Sequence, residues 1–319
     1  MLINVAFLIL GLLLVIFGAD WLVDGASSIA RKLKISEFVI GLTIVGFGTS
    51  CPELVVSVTG AVNGLSDISI GNVIGSNIFN TFLILGVTAL IMPIGITRNN
   101  KRRDIPVTLL VTFLLVFCGM SKTIFGLGNA DGLSRVEGIV FLVLFAIYLY
   151  SCFKNDEAPS DSEEPAKEVS LAAAILLTLA GLAGLIFGGQ WFVSSAVKIA
   201  HELGVSDKFI AITLLAGGTS LPELAACTVA AIKKKGQLAL GNILGSNIFN
   251  ILLILGVSAS ISPISFTNIN LVDVSAMLAS MIMVWLSSYT FKRDLIDRWE
   301  GAIFVLSFAA YYVWLFINL

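Results

Sequence analysis

The chain has 319 residues, 57% hydrophobic and 13% charged, with a net charge of −2 and a mean hydropathy of +0.98. Soluble domains average about 45–50% apolar and about 25% charged residues, so a pair of soluble domains is excluded and a polytopic membrane protein is expected. The near-neutral charge gives no basis for a nucleic-acid partner.

Ten apolar segments follow in chain order, at about 3–26, 36–62, 69–93, 104–121, 132–152, 170–197, 208–232, 237–262, 270–291 and 299–318. Each is long enough to cross about 30 Å of hydrocarbon as a helix rising about 1.5 Å per residue. The first opens Met1-Leu2-Ile3-Asn4, without a basic flank, and is expected to be a retained helix rather than a cleaved signal. The second carries Gly48-Thr49-Ser50-Cys51-Pro52-Glu53 and the third Gly71-Asn72-Val73-Ile74-Gly75-Ser76-Asn77-Ile78-Phe79-Asn80. Between the fifth and sixth, residues 153–169 are acidic and contain Pro159 and Pro165, which predicts a disordered cytoplasmic linker. The linker lacks the spacing of a defined calcium loop. Cys51, Cys118, Cys152 and Cys227 show no CxxC spacing and read as small apolar residues.

Lys and Arg divide unevenly between the two ends of these segments. One end takes Arg31, Lys32, Lys34, Arg98, Lys101, Arg102, Arg103, Lys154, Lys167, Lys233, Lys234, Lys235, Lys292, Arg293 and Arg298. The other takes only Lys122, Arg135, Lys198 and Lys208. The positive-inside rule makes the first end cytoplasmic and puts both termini outside a multi-pass protein of the cell membrane.

The second half repeats the first. Residues 11–94 align without a gap on 181–264, with 38 identities in 84 positions. Gly218-Thr219-Ser220-Leu221-Pro222-Glu223 and Gly241-Asn242-Ile243-Leu244-Gly245-Ser246-Asn247-Ile248-Phe249-Asn250 restate the first-half motifs. Five segments per half is an odd number, so the halves enter the membrane from opposite sides. The expected fold is therefore an all-α membrane protein of ten transmembrane helices in two inverted-topology five-helix repeats. The first repeat spans 1–152, the linker 153–169 and the second repeat 170–319, with the motif-bearing portions at about 36–93 and 206–263.

Glu53 and Glu223 fall in mid-segment, where an unpaired carboxylate costs several kcal/mol or more, and no Lys or Arg lies at comparable depth in those segments. A bound cation or a proton is the natural counter-charge, and the two are expected to compete. Pro52 and Pro222 lack the N–H that would return to Gly48 and Gly218, so the helix should open there and free backbone oxygens. Calcium takes about six to eight oxygens, often from bidentate carboxylates. The two glutamates could supply about four of these and one freed carbonyl from each half the rest. Thr49, Ser50, Thr219 and Ser220 add oxygens, and Ser76, Ser246, Asn80 and Asn250 offer neutral ones for monovalent ions. A donor set of hard oxygens with a single histidine disfavours zinc and copper. Asn80 and Asn250 also read as interhelical hydrogen-bond partners, and Gly71, Gly75, Gly241 and Gly245 as close-packing glycines. Asp20 and Asp24, matched by Gln190 and Ser194, are expected near the outer entry to the site or in a structural hydrogen bond. Lys233-Lys234-Lys235 reads as a topology anchor.

At these motifs, GTSxPE followed by GNxxGSNxxN in both halves, the chain resembles the sodium/calcium exchanger family of cation/calcium antiporters. The resemblance implies exchange of Na+ for Ca2+, typically three for one, with no cofactor. It implies a central group of Glu53, Asn80, Glu223 and Asn250. Around it would lie sodium sites from Thr49, Ser50, Ser76, Thr219, Ser220 and Ser246 and the backbone at Gly46 and Ala216. Some relatives resemble a pattern with aspartate where Asn250 stands, the potassium-dependent ones among them, so asparagine here favours potassium-independent exchange. The alternatives are Ca2+/H+ or potassium-dependent exchange and a cation channel. An intramembrane enzyme would need motifs such as HExxH, which are absent. The first and sixth segments, long and glycine-bearing, are the expected sliding elements.

Overall fold

The computed structural model describes residues 1–127, 130–154, 169–204, 217–266, 269–290, 292 and 294–318. Among the described residues the chain is helical apart from loops and two short pairs of strands. Its helices are α1 (Leu2–Leu33), α2 (Glu37–Thr49), α3 (Cys51–Val62), α4 (Ser66–Ile91), α5 (Ile105–Gly119), α6 (Ser121–Phe125), α7 (Arg135–Lys154), α8 (Leu171–Glu202), α9 (Leu221–Ile232), α10 (Gly236–Ile261), α11 (Leu271–Ser287) and α12 (Arg298–Asn318). Among the described residues six helices are long and apolar enough to cross a membrane, or seven if α2 and α3, bent by 50° at Ser50, count as one span. The expected count of ten is therefore met only in part on length. Helices α5 and α11 have 15 and 17 residues, roughly 23–26 Å at the α-helical rise. The start of the segment expected at 208–232, and nearly all of the linker, lie outside the described residues.

The motif helices form the centre. In α10, 94% of the apolar stretch is buried and in α4 72%, against 22% in α1 and 17% in α12. This explains why α4 and α10 carry small and amide side chains, whereas α1 and α12 show Leu, Ile and Phe on their outer faces. Both central helices pass through π-helical turns, Phe79–Ile84 and Phe249–Leu255, which begin one residue before Asn80 and Asn250. A third such turn, Gly41–Val45, lies within α2.

Helices α1 and α8 pack against each other along a glycine seam. A Cβ on Gly11 would lie 2.6 Å from the Phe192 nitrogen, one on Gly18 2.8 Å from the Leu185 nitrogen and one on Gly25 2.7 Å from the Thr178 nitrogen. Every seven residues forward along α1 is thus seven back along α8, so the two helices run antiparallel. Close backbone approach through small residues is how apolar helices associate without a hydrophobic driving force between them.

The connections gather at two ends. At one, Lys233 pairs with Asp20 at 2.6 Å and Asp24 at 2.7 Å, Lys235 with Glu37 at 2.9 Å and Lys101 with Asp294 at 2.7 Å. Strand β1 (Ile94–Gly95) joins β4 (Leu295–Ile296) antiparallel there. At the other, the amino terminus pairs with Glu202 at 3.1 Å. There β2 (Gly132–Leu133) joins β3 (Ile264–Ser265), and Arg135 donates to the Ile261 carbonyl. Asp20 and Asp24, expected near the outer entry or in a structural hydrogen bond, take the second role: both carboxylates hold Lys233, which reaches across from the end of α9 to α1.

Candidate cation-binding site

From the serine onward the two GTSxPE motifs produce the same local structure. Helix α2 stops at Thr49, Ser50 takes φ −84° and ψ 6°, and α3 restarts with Pro52 in its first turn. Ser220 takes φ −90° and ψ 7°, and α9 begins there with Pro222 in its first turn. Proline in a first turn loses no hydrogen bond, because its N–H would have had no helical partner. The proline therefore starts a new half-helix rather than kinking a continuous one. Glu53 and Glu223 fall in those first turns, where the positive end of the helix dipole favours a carboxylate.

The glutamates are each 1% exposed and are tied reciprocally across the halves. Ser220 Oγ donates to Glu53 Oε1 at 3.2 Å, and Ser50 Oγ donates to Glu223 Oε1 at 3.0 Å. Ser50 Oγ also lies 3.0 Å from Ser246 Oγ. Ser246 and Thr49 approach the Glu223 carboxylate, and Thr219 that of Glu53. Thr49 Oγ1 donates to Val45 O at 3.0 Å and Asn242 Oδ1 at 3.1 Å. Gly46 packs against the Ser246 turn, where a Cβ would lie 3.4 Å from the Ser246 nitrogen, and its carbonyl accepts the Ser50 N–H at 3.1 Å. Ala216 lies outside the described residues.

Each glutamate uses one oxygen in this way and leaves the other without a partner. Glu53 Oε2, Glu223 Oε2, Asn80 Oδ1, Asn250 Oδ1 and Ser76 Oγ are all buried and unpartnered. Neither glutamate has a Lys or Arg partner among the described residues. Leaving one buried acceptor unsatisfied costs about 1–3 kcal/mol, and more when it is charged. Two carboxylate oxygens, two amide oxygens and a hydroxyl, each left free, are donors of the kind a hard cation takes. A cavity of 570 Å³ opens beside Pro52, Thr219 and Pro222 and follows α8 from Gly189 to Lys198.

Sequence reasoning singled out Asn250 but missed Asn72, Asn77 and Asn242, which brace this group. Asn72 Nδ2 donates to the Glu53 carbonyl at 3.2 Å and Ser57 Oγ at 2.9 Å. Asn242 Nδ2 donates to Cys227 Sγ at 3.1 Å while its Oδ1 receives Thr49. Asn250 Nδ2 donates to Asn77 Oδ1 at 2.9 Å. Their signal was available, since all three recur at the 170-residue offset, but their partners lie on other helices. Asn250 thus combines both roles considered from the sequence, an interhelical bond and a free oxygen.

Buried acidic side chains at the first turns of helices in an apolar bundle suit a membrane transport protein. The family model for sodium/calcium exchanger proteins matches residues 3–154 and 173–317. The putative antiporter CaxA of Alkalimonas amylolytica is 40% identical over 333 aligned positions, covering 99% of both chains. The sodium/calcium exchanger MaX1 of Methanosarcina acetivorans is 33% identical, covering 98% of this chain and 99% of its own. A solved structure of the sodium-calcium exchanger NCX_Mj, soaked with Na+ and Sr2+, superposes with a TM-score of 0.83 at 36% identity over 97% of each chain. The chain belongs to the sodium/calcium exchanger family, as its motifs implied, and is a multi-pass membrane antiporter of that family.

Proposed function

We propose that the protein exchanges Na+ for Ca2+ by alternating access, with Glu53 and Glu223 as the shared ligands. The observation that carries this reading is the pair of unpartnered carboxylate oxygens, Glu53 Oε2 and Glu223 Oε2, in a buried site with no basic partner among the described residues. Asn80, Asn250, Ser76, Ser50, Ser220, Ser246, Thr49 and Thr219, with the backbone at Gly46 and Ala216, complete the sites for Ca2+ and for Na+. Ions that share ligands compete, and competition at a site opened to one side at a time yields exchange. Two carboxylates match one Ca2+ in charge, whereas three Na+ leave one positive charge. Each cycle then moves one net charge, worth about 2.3 kcal/mol per 100 mV. Asparagine at 250 keeps the site at two carboxylates, which favours exchange without potassium.

The membrane arrangement we propose is ten spans in two inverted repeats, residues 1–152 and 170–319, with both termini outside. It is supported by the antiparallel pairing of α1 with α8. It is also supported by the reciprocal bonds Ser50–Glu223 and Ser220–Glu53, and by the gathering of loops assigned to one side at one end. The antiparallel pair α1 and α8, the outer layer beside the cavity, is the element that slides. The test is Ca2+ flux in proteoliposomes under a Na+, a K+ or a pH gradient imposed singly. Uptake driven only by outward Na+, and carrying current, is expected. Uptake that needs K+, follows pH alone or proceeds without a counter-ion would refute the reading.

A further inference from the structure

Asn77 follows Ser76 in α4 and bonds to Asn250 and Asn247 of the second half. Its NH2 group donates to the backbone carbonyl of Asn247 at 3.4 Å, and its Oδ1 receives Asn250 Nδ2 at 2.9 Å. The direction of this chain is fixed at one end. A peptide carbonyl only accepts, so it decides which end of the Asn77 amide turns toward it. Asn77 then presents oxygen to Asn250, and Asn250 must answer with its NH2. What remains of Asn250 is Oδ1, buried and without a protein partner. Reversed, the same amide would aim two N–H donors at a cation.

We infer that Asn77 is a positioning residue for ion exchange: relaying the polarity of the Asn247 carbonyl, it holds the Asn250 amide with its oxygen toward the ions. The inference rests on the exchange reading above and extends it to a residue that touches no ion. The reciprocal position does not repeat the device. Asn247 Nδ2 donates instead to Thr81 Oγ1 at 2.8 Å and its Oδ1 has no partner, while Ile251 stands where the other repeat has Thr81. The relay is therefore confined to Asn250, and the duplicated site is asymmetric in how its amides are held.

The test places Asn77→Leu, which keeps side-chain bulk without an acceptor, and Asn77→Ala in two backgrounds. One is the native sequence. The other is Asn250→Asp, whose carboxylate has two equivalent oxygens and needs no orienting. Half-saturating Ca2+ is measured in Na+-loaded proteoliposomes, and the Ca2+-induced rise in unfolding temperature on purified protein. In the native background both substitutions are expected to raise half-saturating Ca2+ about tenfold, the scale on which residues orienting a metal ligand act, with the maximal rate changed far less. In the Asn250→Asp background no such rise is expected. An equal loss in both backgrounds would make Asn77 a packing residue and overturn the inference, as would unchanged affinity in the native one. Should one variant be lost on purification, the other carries the comparison. Native protein that exchanges no Ca2+ would overturn the exchange reading instead, and the thermal shift would still decide the role of Asn77.

Discussion

Glu53→Gln separates binding from stability in a way that few other substitutions would. Glu53 is 1% exposed, with Oε1 held by Ser220 and Oε2 unpartnered. The amide is nearly isosteric, so packing is kept and one negative charge is removed. A divalent ion about 4 Å from a single charge gains on the order of 8 kcal/mol at an effective dielectric of about 20. Desolvating ion and carboxylate returns several kcal/mol of that. A net loss of about 3 kcal/mol would already weaken Ca2+ by roughly a hundredfold. The ion-free protein should respond in the opposite sense, because a buried charge without a partner has gone. Thermal unfolding reads both effects on one sample. In chelator Glu53→Gln is expected to melt above the native protein, and added Ca2+ should no longer raise its melting temperature. A native-sized Ca2+ shift in Glu53→Gln would refute the reasoning.

Three further outcomes are expected. Glu223→Gln should match Glu53→Gln in Ca2+ affinity, because the two carboxylates are held reciprocally; a large difference in affinity would show that one glutamate alone binds the ion. Gly18→Leu should uncouple α1 from α8, since its Cβ would fall 2.8 Å from the Leu185 nitrogen; overpacking costs about 1–3 kcal/mol, read as a lower melting temperature with Ca2+ affinity intact, and an unchanged melting temperature would argue against the glycine seam. Asp131 accepts from the backbone N–H groups of Lys122 and Thr123 at 2.8 and 3.0 Å and from the Thr123 hydroxyl, and the Thr123 hydroxyl foremost holds its carboxyl below the ordinary 3.8. A lowered carboxyl contributes its stabilisation above the unfolded value and loses it as pH falls through the lowered one, so the amides of 122–123 should lose hydrogen-exchange protection only below about pH 4, and Asp131→Asn should remove that step.

Both motifs were legible because duplication marked them and because a carboxylate in an apolar segment needs compensation. Pro52 announced the break after Thr49, though neither Pro52 nor Pro222 told that it stands in the first turn of a helix together with its glutamate. The lysine distribution put Lys101, Lys233 and Lys235 in one set, and the structure pairs these three at one end. What stayed hidden depends on contacts between distant segments. Asp20 and Asp24 have no partner nearby in sequence, and Lys233, more than 200 residues away, sets their place. The π-helical turns at Phe79–Ile84 and Phe249–Leu255 leave no trace in apolar periodicity, because after Asn80 and Asn250 these stretches are almost wholly apolar. The direction of the Asn77 and Asn250 amides follows from a backbone carbonyl of the other half, which composition cannot register.

Anomalous scattering from crystals equilibrated with Ca2+ at increasing Na+ tests the central claim most directly. The account expects one Ca2+ peak between the halves, within about 2.3–2.6 Å of Glu53 Oε2 and Glu223 Oε2, fading as Na+ rises. A peak bound to only one glutamate, or one that Na+ leaves untouched, would contradict a single site shared by both ions.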